Sequence, residues 1–206
     1  MFNADAFPQY EPPYESPIEE AFAWDLSKRL AAAATLQKQV LLPTQLGMFR
    51  CDFLLTTPTG VQVAIECDGR AFHRPNRDRF RDAAILADTE VQAVLRFSGR
   101  DIYQHSPDVV FIVGRLIPGI FSERGQSIVN KLCSPEAALQ YETLDRGLMV
   151  EYVSEEDDTA YTYLLPTFRG SLPGASRDWR DDVVTIRAER GTSADELAAK
   201  YPSAFG

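Results

Sequence analysis

The sequence predicts an α/β domain, and three observations carry that prediction. A capped amphipathic helix opens at Ser16, two alternating segments joined by a tight turn follow it, and a helix, strand, helix run comes next. The first helix is signalled by Ser16 as N-cap, Pro17 at the first helical position and Glu19 three residues after the cap. Phe22, Leu26 and Leu30 continue along one face, which predicts a helix running to about Ala34.

Phe49 to Thr56 then alternates, with Phe49, Cys51, Phe53 and Leu55 on one side and Arg50, Asp52, Leu54 and Thr56 on the other. Pro58-Thr59-Gly60 supplies a turn, and Val61 to Cys67 alternates again with Glu66 and Asp68 sharing a face. The two segments read as a hairpin. Asp78 to about Asp88 reads as a helix, Val91 to Phe97 as a buried strand, and Ser106-Pro107-Asp108 as the start of a further helix.

Organisation weakens on either side of this run. Residues 1–15 contain Pro8, Pro12 and Pro13 among aromatics and read as an N-terminal arm, with residues 16–120 as the core. Residues 121–206 read as a small α+β extension without an assigned role. It holds a helical stretch to Leu148, a hairpin over Met149–Val153 and Tyr161–Leu165, an acidic tip at Glu155 to Asp158, a polar linker from Phe168 to Asp182, and a last short helix capped by Ser193.

Composition narrows the function classes. The 206-residue chain is 45% apolar and 25% charged, enough for one substantial core. No apolar run has the length of a membrane span, and the N-terminus lacks the basic and apolar blocks of a secretory signal, so the expected location is the cytoplasm, away from membranes. Cys51, Cys67 and Cys133 are odd in number and lack C-x-x-C spacing, which argues against a disulfide framework or a four-ligand zinc site.

A net charge of −9 counts against long tracking on nucleic acid. Yet residues 1–122 carry only −3 and residues 123–206 carry −6, and Arg70, Arg74, Arg77, Arg79 and Arg81 fall within twelve positions. That cluster suits either a phosphate-gripping surface or a solvated helix face pairing with Asp78 and Asp82.

The hairpin carries the chemistry. Asp52 sits on one strand, with Glu66 and Asp68 on the next. Carboxylates beside apolar strands lose hydration and need a positive partner. Either a divalent cation supplies it, or ordinary ion pairs with Arg50, Arg70 or Arg96 do. Mg²⁺ accepts one or two carboxylates and keeps waters and phosphate oxygens as its other ligands. His73, just past the Asp68-Gly69 turn, is placed to act as a general base or phosphate donor, or is a plain loop histidine. Glu19 points inward from the first helix but also fits a capping acid, with Glu20 as its rival for any role at the site.

In order, SPIEEAF, FRCDFLL, VAIECDGRAFH, DRFRDAAIL and AVLRFSGRDI resemble the nucleases related to very short patch repair endonucleases, a branch of the PD-(D/E)XK or restriction-endonuclease-like superfamily. The likeness runs from about Ser16 to Tyr103, and its most specific element is E-x-D-G followed closely by histidine. It implies a central mixed sheet flanked by helices. It places the family's acids at Glu19, Asp52, Glu66, Asp68 and Asp78, its histidine at His73, and the arginine of a D-x-x-R pattern at Arg81. By resemblance the chain is expected to be an endonuclease hydrolysing nucleic acid, DNA ahead of RNA. Mg²⁺ or Mn²⁺ would sit on Asp52, Glu66 and the carbonyl of Cys67, with Arg70, Arg74, Arg77, Arg79 and Arg81 toward the phosphates.

Three departures stand out. Asp68 occupies the place of the superfamily's usual lysine, and related repair enzymes use histidine instead, which points to His73. The zinc site of very short patch repair enzymes has no counterpart in RPNRDRFRD, and Thr89-Glu90 replaces a glycine and aromatic turn before the VLRF strand. The alternative expectation is an inactive module of the same fold that binds nucleic acid, or a protein partner through its acidic C-terminal part. Whether two copies pair to cut both strands is left open.

Overall fold

The computed structural model describes residues 14–68, 75–143, 149–152, 160–163, 167–168 and 179–202. The order of elements is α1 (Pro17–Ser27), β1 (Thr35–Thr44), β2 (Gly47–Thr56), β3 (Gln62–Asp68), α2 (Pro75–Asp88), β4 (Val91–Ser98), α3 (Gly99–Leu116), α4 (Glu123–Leu132), α5 (Pro135–Thr143), β5 (Met149–Tyr152), β6 (Ala160–Tyr163), β7 (Thr167–Phe168), α6 (Trp179–Ala188) and α7 (Ala194–Lys200). No helix among them is long and apolar enough to cross a membrane. The N-terminal arm to residue 13, the acidic tip at 155–158, and Arg70, His73 and Arg74 lie outside the described residues.

The architecture is α/β with a mixed sheet flanked by helices. The sheet runs β1-β2-β3-β4-β7. β1, β2 and β3 are antiparallel neighbours, β3 and β4 are parallel and joined through α2, and β7 closes the far edge antiparallel to β4. β5 and β6 form a separate antiparallel pair.

Strand alternation sorts side chains to the two faces. Phe53, Leu55, Val63, Ile65, Leu95 and Phe97 pack with Phe22 and Leu26 of α1 and Val109 to Val113 of α3. Leu54, Ala64 and Val94 point the other way, onto Ile85 and Leu86 of α2. Each fully buried Phe, Leu or Ile in these layers contributes roughly 1.5–3 kcal/mol relative to exposure. The outer surface of α2, with Phe80, Ala83 and Ala84, is covered by Val183 and Ile186 of α6 and Leu197 of α7.

The predicted hairpin is present, with the turn closed by Gly60 N–H to Thr57 O at 2.9 Å. Its alternation breaks at Asp52: Cys51 and Phe49 pack with the α2-side cluster and not with Phe53. Opposite Asp52, between the pairs Lys38↔Phe53 and Val40↔Cys51, Gln39 has φ of 52°. A non-glycine residue in this region interrupts the regular pleat and carries backbone strain.

Several element boundaries differ from expectation. The first helix ends at Ser27, because the backbone of Arg29, Leu30 and Ala31 is drawn off to pair with Ile120, Phe121 and Ser122. β1 lies on the sheet edge with most of its residues at least partly exposed, so it offers no clean alternation to read. The α3 helix begins at the Ser98 cap, well before Ser106, and bends at His105 (φ −132°, ψ 34°) two residues ahead of Pro107. Proline lacks an N–H and crowds the preceding turn, so the second half restarts there. The expected helical stretch divides into α4 and α5 as far as Thr143, residues 144–148 and 169–178 lying outside the described residues, and the end of the expected polar linker, Trp179 to Asp182, is the first turn of α6. Ser193 caps α7 with Glu196 in a complete capping box.

Candidate functional site

The site is built where β2 and β3 part. Their ladder runs from Thr56↔Gln62 to Phe53↔Ile65 and ends there. Just beyond it, the Cys67 N–H donates to Asp52 Oδ2 at 2.7 Å, so a side-chain carboxylate takes the place of a cross-strand carbonyl. Glu66 lies beside it on β3, only 4% exposed and opposite Arg96 of β4.

Two arginines approach from either side, and they divide the acids between them. Arg81 of α2 donates to Glu66 Oε1 at 2.7 Å and to the carbonyl of Arg50 at 2.7 Å. Arg96 donates through Nε (3.2 Å) and Nη2 (2.6 Å) to the two oxygens of Asp82, both residues being nearly inaccessible. Such a two-pronged pair is geometrically fixed.

Burial pushes the Glu66 carboxyl up to about 8, against the pull of Arg81 and Arg96 and with the help of the Asp52 and Asp82 charges. The 2.7 Å ion pair therefore does not make up for the water Glu66 has lost. Burial also pushes the Cys51 thiol up to about 12, with Glu66 and Asp52 adding to it.

The other expected site residues fall as follows. Glu19 is buried and acts as the capping acid of α1: its carboxylate accepts from Ser16 Oγ at 2.9 Å, from the Glu15 N–H at 3.0 Å and from Gln39 Nε2 at 2.9 Å. Through Gln39 it reaches the β1 position facing Asp52, while α1 itself packs on the sheet face opposite α2. Glu20 is partly exposed on the same helix. Asp78 is buried on α2, with Arg77 Nη2 at 3.3 Å. The backbone of Asp68 pairs in register with Ser98, and its carboxylate lies outside the described atoms, as does His73.

The arginines of α2 do not form one outward comb. Arg77 meets Asp78, Arg79 meets Asp182 of α6 at 3.7 Å and the Tyr201 carbonyl after α7, and Arg81 turns to Glu66. Asp82 pairs with Arg96, and Arg50 pairs with Glu15.

Sequence reasoning missed the Asp82–Arg96 pair and Gln39. Arg96 could have been found, since an arginine inside the apolar run Val94-Leu95-Arg96-Phe97 requires a buried acid. Gln39 carried no comparable signal.

No family model, curated protein or solved structure matches this chain. The site has to be judged on its own chemistry. Among the described residues no group of three or more His, Cys, Asp or Glu side chains stands together as a metal cluster. Asp52 and Glu66 are hard oxygen donors close enough for the charge of one to raise the pKa of the other, and a pair of that kind meets the needs of Mg²⁺ or Mn²⁺ completed by solvent and phosphate. The donor set fits such an ion.

Proposed function

We propose that this chain is a divalent-metal-dependent endonuclease of the restriction-endonuclease-like type, related to the very short patch repair nucleases, and that it hydrolyses phosphodiester bonds of nucleic acid, DNA ahead of RNA. The observation that carries the reading is the placement of two carboxylates at the fork between β2 and β3, Asp52 held by the Cys67 N–H and Glu66 buried on the next strand within reach of the Asp52 charge.

Asp52 and Glu66, with the carbonyl of Cys67, would hold Mg²⁺ or Mn²⁺. Such an ion, when bound, polarises phosphate oxygens and lowers the pKa of water. Asp52 is oriented for this by the Cys67 N–H, which occupies Oδ2. Glu66 is fixed by Arg81 at Oε1. In the reaction a water oxygen bonds to phosphorus, the bond to the leaving sugar oxygen breaks, and the water's proton passes to a base. His73 is the residue assigned to that proton, Asp68 to shaping the shell, and Arg70, Arg74, Arg77 and Arg79 to the phosphate backbone, where they position without reading sequence.

The test is cleavage of labelled single- and double-stranded DNA and RNA in Mg²⁺ or Mn²⁺, comparing wild type with Asp52→Asn and His73→Ala. Asp52→Asn is expected to abolish cleavage and the Mn²⁺-dependent gain in thermal stability, while the protein still folds. Wild-type cleavage by Asp52→Asn would remove the assignment.

One observation favours a second reading, an inactive module of the same fold that binds a protein partner through its acidic C-terminal part. Arg77, Arg79 and Arg81 all have acidic partners within the molecule, which leaves less positive charge for phosphates. That reading predicts neither cleavage nor metal-dependent stabilisation.

A further inference from the structure

We propose that Arg81 is a built-in competitor for the divalent cation, holding Glu66 when metal is absent and giving it up when metal binds. The inference rests on the reading of Asp52 and Glu66 as metal ligands, and it assigns Arg81 a regulatory part at that site in place of a phosphate contact.

The contrast between the two arginines supports it. Arg96 is satisfied by Asp82 through two nitrogens and two oxygens, and nothing in that pair has to move. Arg81 holds Glu66 through one nitrogen on one oxygen, and among the described residues it is the sole hydrogen-bond partner of that carboxylate. The same nitrogen also serves the Arg50 carbonyl. Among the described residues Arg81 Nε is buried with no acceptor, and the guanidinium rests 5.4 Å from the centre of the Phe49 ring.

An arginine in this state is anchored but incompletely satisfied, so its hold on Glu66 is exchangeable. A buried, unfulfilled N–H has a cost that another position can relieve. A guanidinium and a divalent ion cannot share Glu66 Oε1 without mutual repulsion, so metal on that oxygen and Arg81 on that oxygen exclude one another. Phe49 and the Arg50 carbonyl offer the displaced guanidinium a place to remain at the edge of the site.

A purely structural role and a competing role make opposite forecasts. If Arg81 only braces the fold, its loss weakens both the metal-free protein and metal binding. If it competes, its loss lowers the melting temperature of the metal-free protein but tightens Mn²⁺ binding.

The experiment is Mn²⁺ titration of the full chain by calorimetry and by thermal shift, for wild type, Arg81→Gln, Arg81→Lys and Asp52→Asn. Arg81→Gln is expected to melt lower without metal and to bind Mn²⁺ roughly tenfold more tightly, the equivalent of about 1.4 kcal/mol of removed repulsion. Arg81→Lys keeps the charge but loses the planar fork, so it is expected to shift affinity in the same direction by less, and it serves if the glutamine variant fails to fold. Unchanged or weaker Mn²⁺ binding in these variants, with wild-type binding that Asp52→Asn abolishes, overturns the role of Arg81 and leaves the metal site standing. Absence of Mn²⁺ binding from wild type and both Arg81 variants overturns the two together.

Discussion

Glu66 and Cys51 are one strand apart and are both raised in pKa by burial, yet their consequences differ. Glu66→Gln keeps the shape and an acceptor oxygen for Arg81 while removing a charge whose burial is costly. The metal-free variant is therefore expected to stay within about 1 kcal/mol of wild type in stability, and to lose all Mn²⁺-dependent stabilisation. Thermal melts with and without Mn²⁺ check this, and a retained metal response would remove Glu66 from the ligand set. For Cys51 the raised pKa keeps the thiol protonated through the physiological range. A buried thiol held in its protonated form is a poor nucleophile, so native alkylation should be negligible at pH 8. Mass spectrometry after iodoacetamide treatment, native against guanidinium-unfolded, reads the result. Rapid native labelling of Cys51 would contradict its burial.

Among the elements, α4 shows how closely one turn can be fitted. Gly125 sits in its first turn, where the N–H donates to the Ser122 cap at 3.0 Å and an added Cβ would lie 2.2 Å from the Arg29 carbonyl oxygen. Backbone cannot yield as a flexible side-chain tip can. Gly125→Ala is accordingly expected to destabilise by about 1–3 kcal/mol, read as a lowered denaturant midpoint with unchanged slope. A neutral alanine would mean that the 29–31 and 120–122 segments are free to separate. This contact also explains why α1 stops early. The run Ala31 to Ala34 has helical propensity, but its entry is committed to the tertiary pairing of Leu30 with Phe121, and tertiary pairing overrides a weak local preference. The hairpin, by contrast, was legible because two short apolar, β-branched and aromatic runs flank a proline and glycine turn, although the structure buries both faces of the pair. β1 was not, since an exposed edge strand needs no such pattern.

Across the whole molecule, α2 is the hinge of the organisation. Its inner face carries Ile85 and Leu86 against the sheet, its outer face carries Phe80 and Ala84 against α6 and α7, and Arg81 reaches Glu66 from between them. The C-terminal helices thus reach the site through α2, and the Arg79–Asp182 contact ties the same layers. Leu197, wholly buried on α7, lies far from the acids in sequence. Leu197→Ala is expected to cost about 2–5 kcal/mol and to speed amide exchange in α2 as well as in α7. Faster exchange confined to α7 would show that the C-terminal helices are not coupled to the element that carries Arg81.

The sequence by itself determined the α/β class, the capped α1, the β2–β3 hairpin, the buried β4 strand, the α7 capping box and the presence of acids on adjacent strands. These features are local: period, capping and turn chemistry are written within a few residues of each other. Only the tertiary structure decided which arginine meets which acid, that Glu19 serves its own helix cap and Gln39, that α3 starts at Ser98, and that α6 and α7 cover α2. A charge pair or a helix-packing surface depends on residues far apart in the chain, such as Arg81 with Glu66 and Arg79 with Asp182. Several acids compete for each arginine, and only distance and burial select among them.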